Sequence, residues 1–266
     1  MSEAKKNLKE IEKKERKEVK AALKEKKRLE REDEKNRPLT KEEEEERRKN
    51  EPPVRPVLEE IGNSVTHGVG AILGIIALIL MLMKSDSGLK ILGSLVYGIA
   101  MILMMLMSCL YHAWKSGSTV KRLWRRFDYS SIYLLIGGTF APLQLVELGI
   151  HQDHMILGVV WFSIMWALII LGITMTSIFG PGKIKWLNFP LYFILGWSGI
   201  MFIPGLIKYN LPLLWWILIG GIVYTLGMIP FALLRKKTVS HFIWHFFVLA
   251  GAVTQFIGIY LCVYCI

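Results

Sequence analysis

Hydrophobic residues are concentrated in seven long runs that follow one another along most of the chain. These runs cover approximately residues 64–83, 89–112, 129–150, 155–178, 187–207, 213–234 and 240–266. Each run has about 20 or more residues, the length that an α-helix needs to cross about 30 Å of hydrocarbon. Lysine, arginine, aspartate and glutamate are absent from the interiors of the runs, since Lys90 and Glu147 lie near ends. The pattern predicts an all-α membrane protein, a seven-transmembrane helix bundle in the cell membrane.

The first 56 residues have the opposite character, because charged side chains dominate them. They contain 20 of the 33 Lys and Arg residues and 16 of the 22 acidic residues. Good helix formers and Glu/Lys pairs favour a solvated helix, but too few apolar residues are present to bury it. We therefore predict a charged, partly helical or disordered cytoplasmic tail with a proline-containing linker over residues 1–56, and a membrane domain over residues 57–266. A coiled-coil or lipid-surface role for the tail is an alternative.

The net charge of +11 does not indicate a nucleic-acid partner. In the tail, glutamate residues alternate with the basic residues and interrupt any continuous positive face. Elsewhere the basic residues fall in short loops, where membrane topology and anionic lipid head groups explain them. The expected partners are therefore membrane lipids, including a lipid substrate, and no nucleic acid. The three cysteines form no recognisable disulfide framework.

Basic residues in the loops also predict the orientation of the bundle. Three alternate loops carry most of them, namely Lys115, Lys121, Arg122, Arg125 and Arg126 in 113–126, Lys183 and Lys185 in 179–186, and Arg235, Lys236 and Lys237 in 235–239. The intervening loops carry few. Because positively charged loops remain on the cytoplasmic side, we expect a cytoplasmic N-terminus and, after seven spans, a C-terminus outside.

Three histidines form the strongest candidate site. His112 ends the second run, while His241 and His245 open the seventh, so the predicted topology places all three in the cytoplasmic half. An i,i+4 pair projects from one helical face and can share a metal, although such a pair alone is often incidental. Ionisable side chains are costly inside a membrane and tend to be functional there. Because three protein ligands leave a fourth position for water, as in catalytic zinc sites, we predict that these histidines bind zinc.

Two further polar residues are expected at the same depth. Ser108 lies one turn before His112 on the same helical face, and Asp128 opens the third run. Ser108 could hydrogen-bond a ligand or stabilise an oxyanion, and Asp128 could accept a proton from a zinc-bound water or orient it. Both are therefore candidate catalytic residues. An ion pair of Asp128 with Arg125 or Arg126 is the alternative explanation.

The remaining histidines are interpreted as ordinary polar residues. His67 lies near the start of the first run, where we expect a contact with nearby polar residues of its own helix, namely Asn63, Ser64 or Thr66. His151 and His154 fall in a short loop beside Asp153 and are expected to be solvated.

Four segments resemble motifs of the bacterial hemolysin III proteins. They are residues 59–68, the S-x-x-x-H motif at 108–112, residues 125–134 and the S-H-x-x-x-H motif at 240–245. The similarity covers about residues 57–266, and the motifs occur in order with suitable separations. Hemolysin III proteins belong with the progestin and adipoQ receptor family, which includes the adiponectin receptors, and are similar more distantly to alkaline ceramidases.

This resemblance implies a seven-helix fold in which three histidines hold zinc, matching the same three histidines here. It also implies an acidic residue near the zinc-bound water, matching Asp128, and a motif serine, matching Ser108. One departure is Gln255, at a seventh-helix position that is often histidine in relatives. Since it lies about 15 Å beyond His245 along the helix, we expect no effect on the metal.

The resemblance and the residue chemistry together favour a zinc-dependent hydrolase of a lipid amide or ester, with its site near the cytoplasmic leaflet. The association of the wider superfamily with hydrolysis of lipid amides such as ceramide implies the substrate class. A pore-forming cytolysin, suggested by the family name, is one alternative, although the runs resemble permanently inserted helices without a charged stripe for a water-filled lumen. A receptor or sensor with structural zinc, signalling through its tail, is the other.

Overall fold

The computed structural model describes the backbone of residues 3–233 and 239–266, and the side chains of residues 14–30, 37–230 and 239–266. Within these residues the secondary structure is helical, with no strands. The chain divides into two compact units, residues up to Arg48 and Lys49–Ile266. The first unit contains α1 (Glu3–Asn36) and most of α2 (Lys41–Asn50). All described side chains of α1 are exposed, which agrees with its lack of an apolar face.

Seven helical segments of the second unit are long and apolar enough to cross a membrane, which confirms the predicted seven-helix membrane bundle. Four spans are single α-helices: α3 (Val57–Met83), α4 (Gly88–Ala113), α6 (Met155–Phe179) and α9 (Leu211–Leu233). The third span joins α5 (Thr119–Pro142) to a π-helix (Leu143–His151), and the fifth joins α7 (Lys185–Trp197), a 3-10 turn (Ser198–Phe202) and α8 (Ile203–Tyr209). The seventh joins α10 (Ser240–Ile259) to a π-helix (Tyr260–Tyr264).

The orientation of the bundle stays a prediction. Two of the basic loops used for it are described, whereas Arg235, Lys236 and Lys237 lie outside the described residues. The bounds of the helices also differ from the apolar runs. α5 begins at Thr119, because the Ser118 side chain caps it by accepting a hydrogen bond from the backbone N–H of Lys121 at 3.1 Å. Most of the basic segment that was expected to be a loop is therefore the first part of a helix.

The third span is the centre of the bundle. In its most apolar window 78% of the residues are buried, compared with 22% in each of the fourth, fifth and sixth spans. α5 packs against α4 and α6, α4 packs against α3, and α10 packs against both α3 and α9. Small residues allow the close approach of neighbouring helices, as where Gly138 of α5 lies against Ala100 of α4. Side chains near the start of α5 are thereby held inside the bundle.

A group of buried polar residues lies at the other end of the third span. The carboxylate of Glu147, 1% exposed, accepts hydrogen bonds from His151 Nδ1 at 3.0 Å, Gln152 Nε2 at 3.0 Å and Asn210 Nδ2 at 3.1 Å. We call these four residues the Glu147 cluster. The expectation that His151 is simply solvated is therefore wrong, because it pairs with a buried carboxylate. His154, in contrast, is exposed.

Candidate metal centre

Three imidazole rings meet between the end of α4 and the start of α10. The Nε2 atom of His241 lies 3.3 Å from Nε2 of His112 and 3.2 Å from Nε2 of His245. His112 and His245 are each 2% exposed, and His241 is half-buried. The structure thus brings together the three histidines singled out in the sequence, which we call the histidine cluster.

The spacing of these nitrogens fits a tetrahedral metal ion. Zinc binds histidine nitrogen at about 2.0–2.1 Å with tetrahedral angles, so two such ligands lie about 3.3 Å apart. The measured separations of 3.2 and 3.3 Å agree with this value. Ring nitrogens held so close together repel unless a proton or a metal ion lies between them. The histidine cluster could therefore bind a metal ion.

A buried carboxylate orients one ring of the cluster. Oε2 of Glu60 lies 2.5 Å from Nδ1 of His112, and Oε1 of Glu60 accepts a hydrogen bond from Lys121 Nζ at 2.9 Å. The His112 and Lys121 side chains are fully buried. When Nδ1–H of His112 donates to Glu60, the lone pair of Nε2 faces the other two histidines. Carboxylates in this position hold metal-binding histidines in the required tautomer and orientation.

The sequence reasoning did not single out Glu60 or Lys121. Glu60 looked like an acidic residue of a first helical turn, and Lys121 looked like one of the basic residues of a loop. One signal could have identified Glu60, because it shares with Asn63, Ser64 and His67 the i, i+3, i+4, i+7 spacing of a single helical face. Four polar side chains on one face of a membrane-spanning helix indicate that this face points into the bundle.

Asp128 and Ser108 both lie beside the histidine cluster. The Ser108 side chain lies close to the Asp128 side chain, and both residues line the same cavity as His241 and His245. Among the described residues, the closely spaced group of potential ligand atoms consists of the three histidine nitrogens and does not include the Asp128 carboxylate. Asp128 is therefore placed to act on a molecule in the cavity next to the metal position.

The alternative explanation for Asp128, an ion pair with a neighbouring arginine, is not found within the described part of the chain. Arg125 donates from Nη1 to the backbone carbonyl of Glu51 at 3.0 Å. Arg126 donates to the backbone carbonyl of Ile178 at 3.1 Å. Both guanidinium groups thus bind backbone carbonyls, and Asp128 faces the cavity.

His67 has a different environment from the one expected. Its ring lies against the ring of His245, with 3.9 Å between the centroids, and the residue is 3% exposed. The polar neighbours on α3 are engaged elsewhere, since the hydroxyls of Ser64 and Thr66 donate to backbone carbonyls at 3.0 and 2.7 Å. The expected contact with these neighbours is therefore wrong. His67 supports the ring of His245 and lines the cavity.

The segment before the first span packs at the same end of the bundle, and we call its residues 49–56 the strap. Asn50 Nδ2 donates to the carbonyl of Phe179 at 3.0 Å, and Asn50 Oδ1 accepts from the backbone N–H of Gly182 at 3.0 Å. Gly180 has a φ of 81°, which a residue with a side chain adopts only with strain, and the Asn50 amide fills the space beside it. The strap is therefore tied to the turn that follows α6.

An elongated cavity of about 210 Å³ extends from the histidine cluster into the bundle. Its wall includes Ser108, Asp128 and His241 at one end and reaches Leu143 and Gln255 at the other. Along α10 the lining runs from His241 to Gln255, which are fifteen residues and about 21 Å of helix. Most of the lining side chains are aliphatic or aromatic. The cavity therefore provides a long apolar path that begins at the polar site.

Comparison with known proteins adds independent information. The haemolysin-III related family matches residues 56–256. The chain is 38% identical to Hemolysin-3 of Bacillus cereus over 207 residues, which cover 75% of this chain and 90% of that protein. It is 33% identical to a Hemolysin-3 homolog of Bacillus subtilis over 207 residues, covering 75% and 92% of the two chains. The human Monocyte to macrophage differentiation factor is 27% identical over 207 residues, covering 76% and 83%.

Proposed function

The chain belongs to the haemolysin-III related family of multi-pass proteins of the cell membrane, and on this premise we propose that it is a zinc-dependent hydrolase of a lipid amide or ester. One observation carries the proposal. Three histidine ring nitrogens lie within 4.8 Å of one another, two of their separations being 3.2 and 3.3 Å, at the end of a long apolar cavity that is also lined by a carboxylate and a hydroxyl. A polar reaction site joined to an apolar path suits a substrate with a carbonyl group and a hydrocarbon chain.

Zinc is the proposed metal because its preferences match the donor set. Three imidazole ligands would leave one position of a tetrahedral zinc ion for water or substrate, as in catalytic zinc sites. His112, His241 and His245 would hold the ion, and Glu60 would keep His112 in the correct tautomer. Bound zinc supplies polarisation of a carbonyl and an acidic water molecule.

Asp128 is the proposed general base and then acid. Its carboxylate accepts a proton from the water that attacks the substrate carbonyl, and it returns that proton to the departing amine or alcohol oxygen. The Ser108 hydroxyl lies beside this carboxylate. The same hydroxyl lies on the cavity wall, where it can donate to the oxyanion that develops on the carbonyl oxygen.

The position of the cavity supports a lipid as the proposed substrate. The lining is apolar and lies within the membrane-spanning helices, so a ligand with a long hydrocarbon chain removes the most apolar surface from water. The predicted orientation places the histidine cluster near the cytoplasmic leaflet. We therefore propose that the substrate reaches the site from that leaflet.

Hydrolysis by the purified full-length chain tests this function. Zinc-loaded protein in detergent or nanodiscs is incubated with ceramides and with related amide and ester lipids, and released fatty acid is measured. We expect release by the natural sequence, loss of release in His245→Ala together with loss of zinc, and loss of release in Asp128→Asn with zinc retained. Inactivity of the zinc-loaded natural sequence on all these lipids would refute the proposal.

A second function, pore formation, is favoured by the names of the two bacterial relatives, Hemolysin-3 and Hemolysin-3 homolog. Leakage of a dye from liposomes containing the purified chain measures it directly. If the natural sequence releases dye and His245→Ala does not, a cytolytic role that needs the histidine cluster gains support. Equal leakage from liposomes with and without the protein counts against it.

A further inference from the structure

Two polar groups in the middle of the bundle face the cavity without a hydrogen-bond partner among the described residues. Gln255 is 7% exposed, and its Oε1 atom has no partner, whereas its Nε2 donates to the carbonyl of Ile217 at 3.0 Å. The hydroxyl of Tyr224 is also buried without a partner. Both residues line the cavity. Buried polar atoms are nearly always hydrogen-bonded, so two such atoms on one cavity wall indicate a binding position.

Tyr224 and Gln255 lie about one helical turn apart, where α9 packs against α10. A Cβ atom added at Gly220 would meet the side chain of Gln255, and one added at Gly251 would lie 2.9 Å from the Tyr224 ring. Gly220 is one turn before Tyr224, and Gly251 is one turn before Gln255. Since the two helices run in opposite directions, the two polar side chains lie about one turn, or about 5 Å, apart along the bundle.

A hydroxyl group has the chemistry that satisfies both atoms. It donates a hydrogen bond to the Gln255 oxygen and accepts one from the Tyr224 hydroxyl at the same time. A carbonyl or an ether oxygen only accepts, and it would leave the Gln255 oxygen without a donor. The neighbouring wall is apolar, with Ile217, Leu218 and Val248, and is suited to hydrocarbon on either side of such a group.

The distance from the histidine cluster defines where this hydroxyl would lie on a ligand. Gln255 is ten residues beyond His245, which corresponds to about 15 Å along α10, or roughly a dozen carbon–carbon bonds of an extended chain. We infer that Tyr224 and Gln255 form a subsite for a hydroxyl near the middle of a long acyl chain whose carbonyl lies at the histidine cluster. The inference rests on the proposed function for its lipid ligand, and it narrows the substrate class to mid-chain hydroxylated acyl lipids.

Binding of two matched fatty acids tests the subsite without requiring hydrolysis. Oleate and ricinoleate have the same chain and double bond, but ricinoleate carries a hydroxyl near mid-chain. Each is used to displace radiolabelled oleate from the full-length protein in nanodiscs. We expect the natural sequence to bind ricinoleate about five- to tenfold more tightly than oleate, the effect of one to two satisfied hydrogen bonds. Equal affinity for the two chains, or binding of neither, would overturn the inference.

Variants locate the origin of that preference. Tyr224→Phe and Gln255→Leu should each reduce the ratio of the two affinities toward one, because each removes a group that bonds the ricinoleate hydroxyl. The matched control is Thr139→Val, which removes another hydroxyl from the cavity wall, but one that already donates to the carbonyl of Leu135 at 2.8 Å. This variant should keep the preference. If Gln255→Leu does not fold, Tyr224→Phe is a sufficient test of the subsite. It removes a single oxygen atom and keeps the shape of the ring.

Two comparisons separate this inference from the proposed hydrolase activity. A chain hydroxylated beside its carboxylate should bind like oleate, and a preference for it would contradict the mid-chain position. The second comparison measures the ricinoleate preference and the release of fatty acid on the same preparation of the natural sequence. A preference without hydrolysis would refute the enzyme proposal and leave the subsite intact, whereas hydrolysis without a preference would do the reverse.

Discussion

Two groups of buried polar side chains lie at opposite ends of the helix bundle, and they differ in how their hydrogen bonds are satisfied. In the Glu147 cluster, one carboxylate accepts hydrogen bonds from three different side chains, and Asn210 also donates to the carbonyl of Cys262 at 2.8 Å. In the histidine cluster, three Nε2 atoms face one another at 3.2 and 3.3 Å. The first group is complete in itself, whereas the nitrogens of the second converge as ligands of a metal ion do.

This difference separates a structural role from a binding role. Both groups contain ionisable residues within membrane-spanning segments, so burial and residue type alone do not distinguish them. A self-satisfied cluster joins helices and should affect folding when it is changed. A cluster of converging acceptors should affect ligand binding when it is changed, with a smaller effect on folding. Five variants, ordered by the size of the expected effect, test the distinction.

The largest effect is expected for His112→Ala and His241→Ala. Either change removes one of three ligands, so bound zinc should fall from about one ion per chain to nearly none. Elemental analysis of detergent-purified protein that has not been exposed to chelators measures this. His154→Ala is the matched control, because this histidine is exposed and should leave the zinc content unchanged. Full zinc content in both site variants would show that the cluster is not the metal centre.

Glu147→Ala should mainly reduce stability. The change removes a buried carboxylate that accepts hydrogen bonds from three side chains, which we expect to cost about 3 kcal/mol. Thermal unfolding in detergent, followed by circular dichroism, measures the loss, and elemental analysis of the folded fraction should give an unchanged zinc content. If Glu147→Ala unfolded normally but lost its metal, the contrast between the two clusters would be wrong.

Glu60→Gln should weaken metal binding without abolishing it. Glutamine keeps the shape of the side chain but loses the charge that holds His112 and Lys121, and changes of this kind typically cost about 10- to 100-fold in metal affinity. Competition with a chelator of known affinity measures the effect. Glu59→Gln is the matched control, since Glu59 pairs with Arg55 at 3.6 Å and not with the histidines. Equal metal affinities of Glu60→Gln and Glu59→Gln would show that Glu60 does not contribute to metal binding.

Asn50→Ala is expected to have the smallest effect. It deletes two hydrogen bonds between the strap and the turn after α6, which we expect to cost about 1 kcal/mol of stability. Val54→Ala, at an exposed position of the same strap, should have no measurable effect on the melting temperature. A loss of zinc in Asn50→Ala, with the melting temperature unchanged, would instead indicate that the strap acts on the metal centre.

The seven spans and the three residues of the histidine cluster could be predicted from the amino-acid sequence alone. A helix that crosses hydrocarbon needs a long run of apolar residues, so its existence is visible without any tertiary contact. Because consecutive spans alternate in direction, residues near the end of α4 and the start of α10 were expected to lie at the same depth in the membrane. The i,i+4 spacing of His241 and His245 then indicated a shared face.

Contacts across the bundle could not be predicted in the same way. That Glu60 reaches His112 depends on the rotation of α3 against α4, and that Lys121 joins them depends on α5 beginning before its apolar run. The wrong expectations for His67 and His151 have the same origin. The partners of a polar side chain in a membrane protein depend on which surfaces of neighbouring helices face each other. The length of an apolar run does not indicate those surfaces.

The length of an apolar run and its helical periodicity are properties of a single segment. They were sufficient to predict the number of spans and the depth of the candidate ligands in the membrane. Rotation, tilt and close approach are properties of pairs of helices, and side-chain shape along each contact sets them. The carboxylate behind His112, the self-contained Glu147 cluster and the two unsatisfied oxygens of Tyr224 and Gln255 therefore became visible only once the helices were packed together.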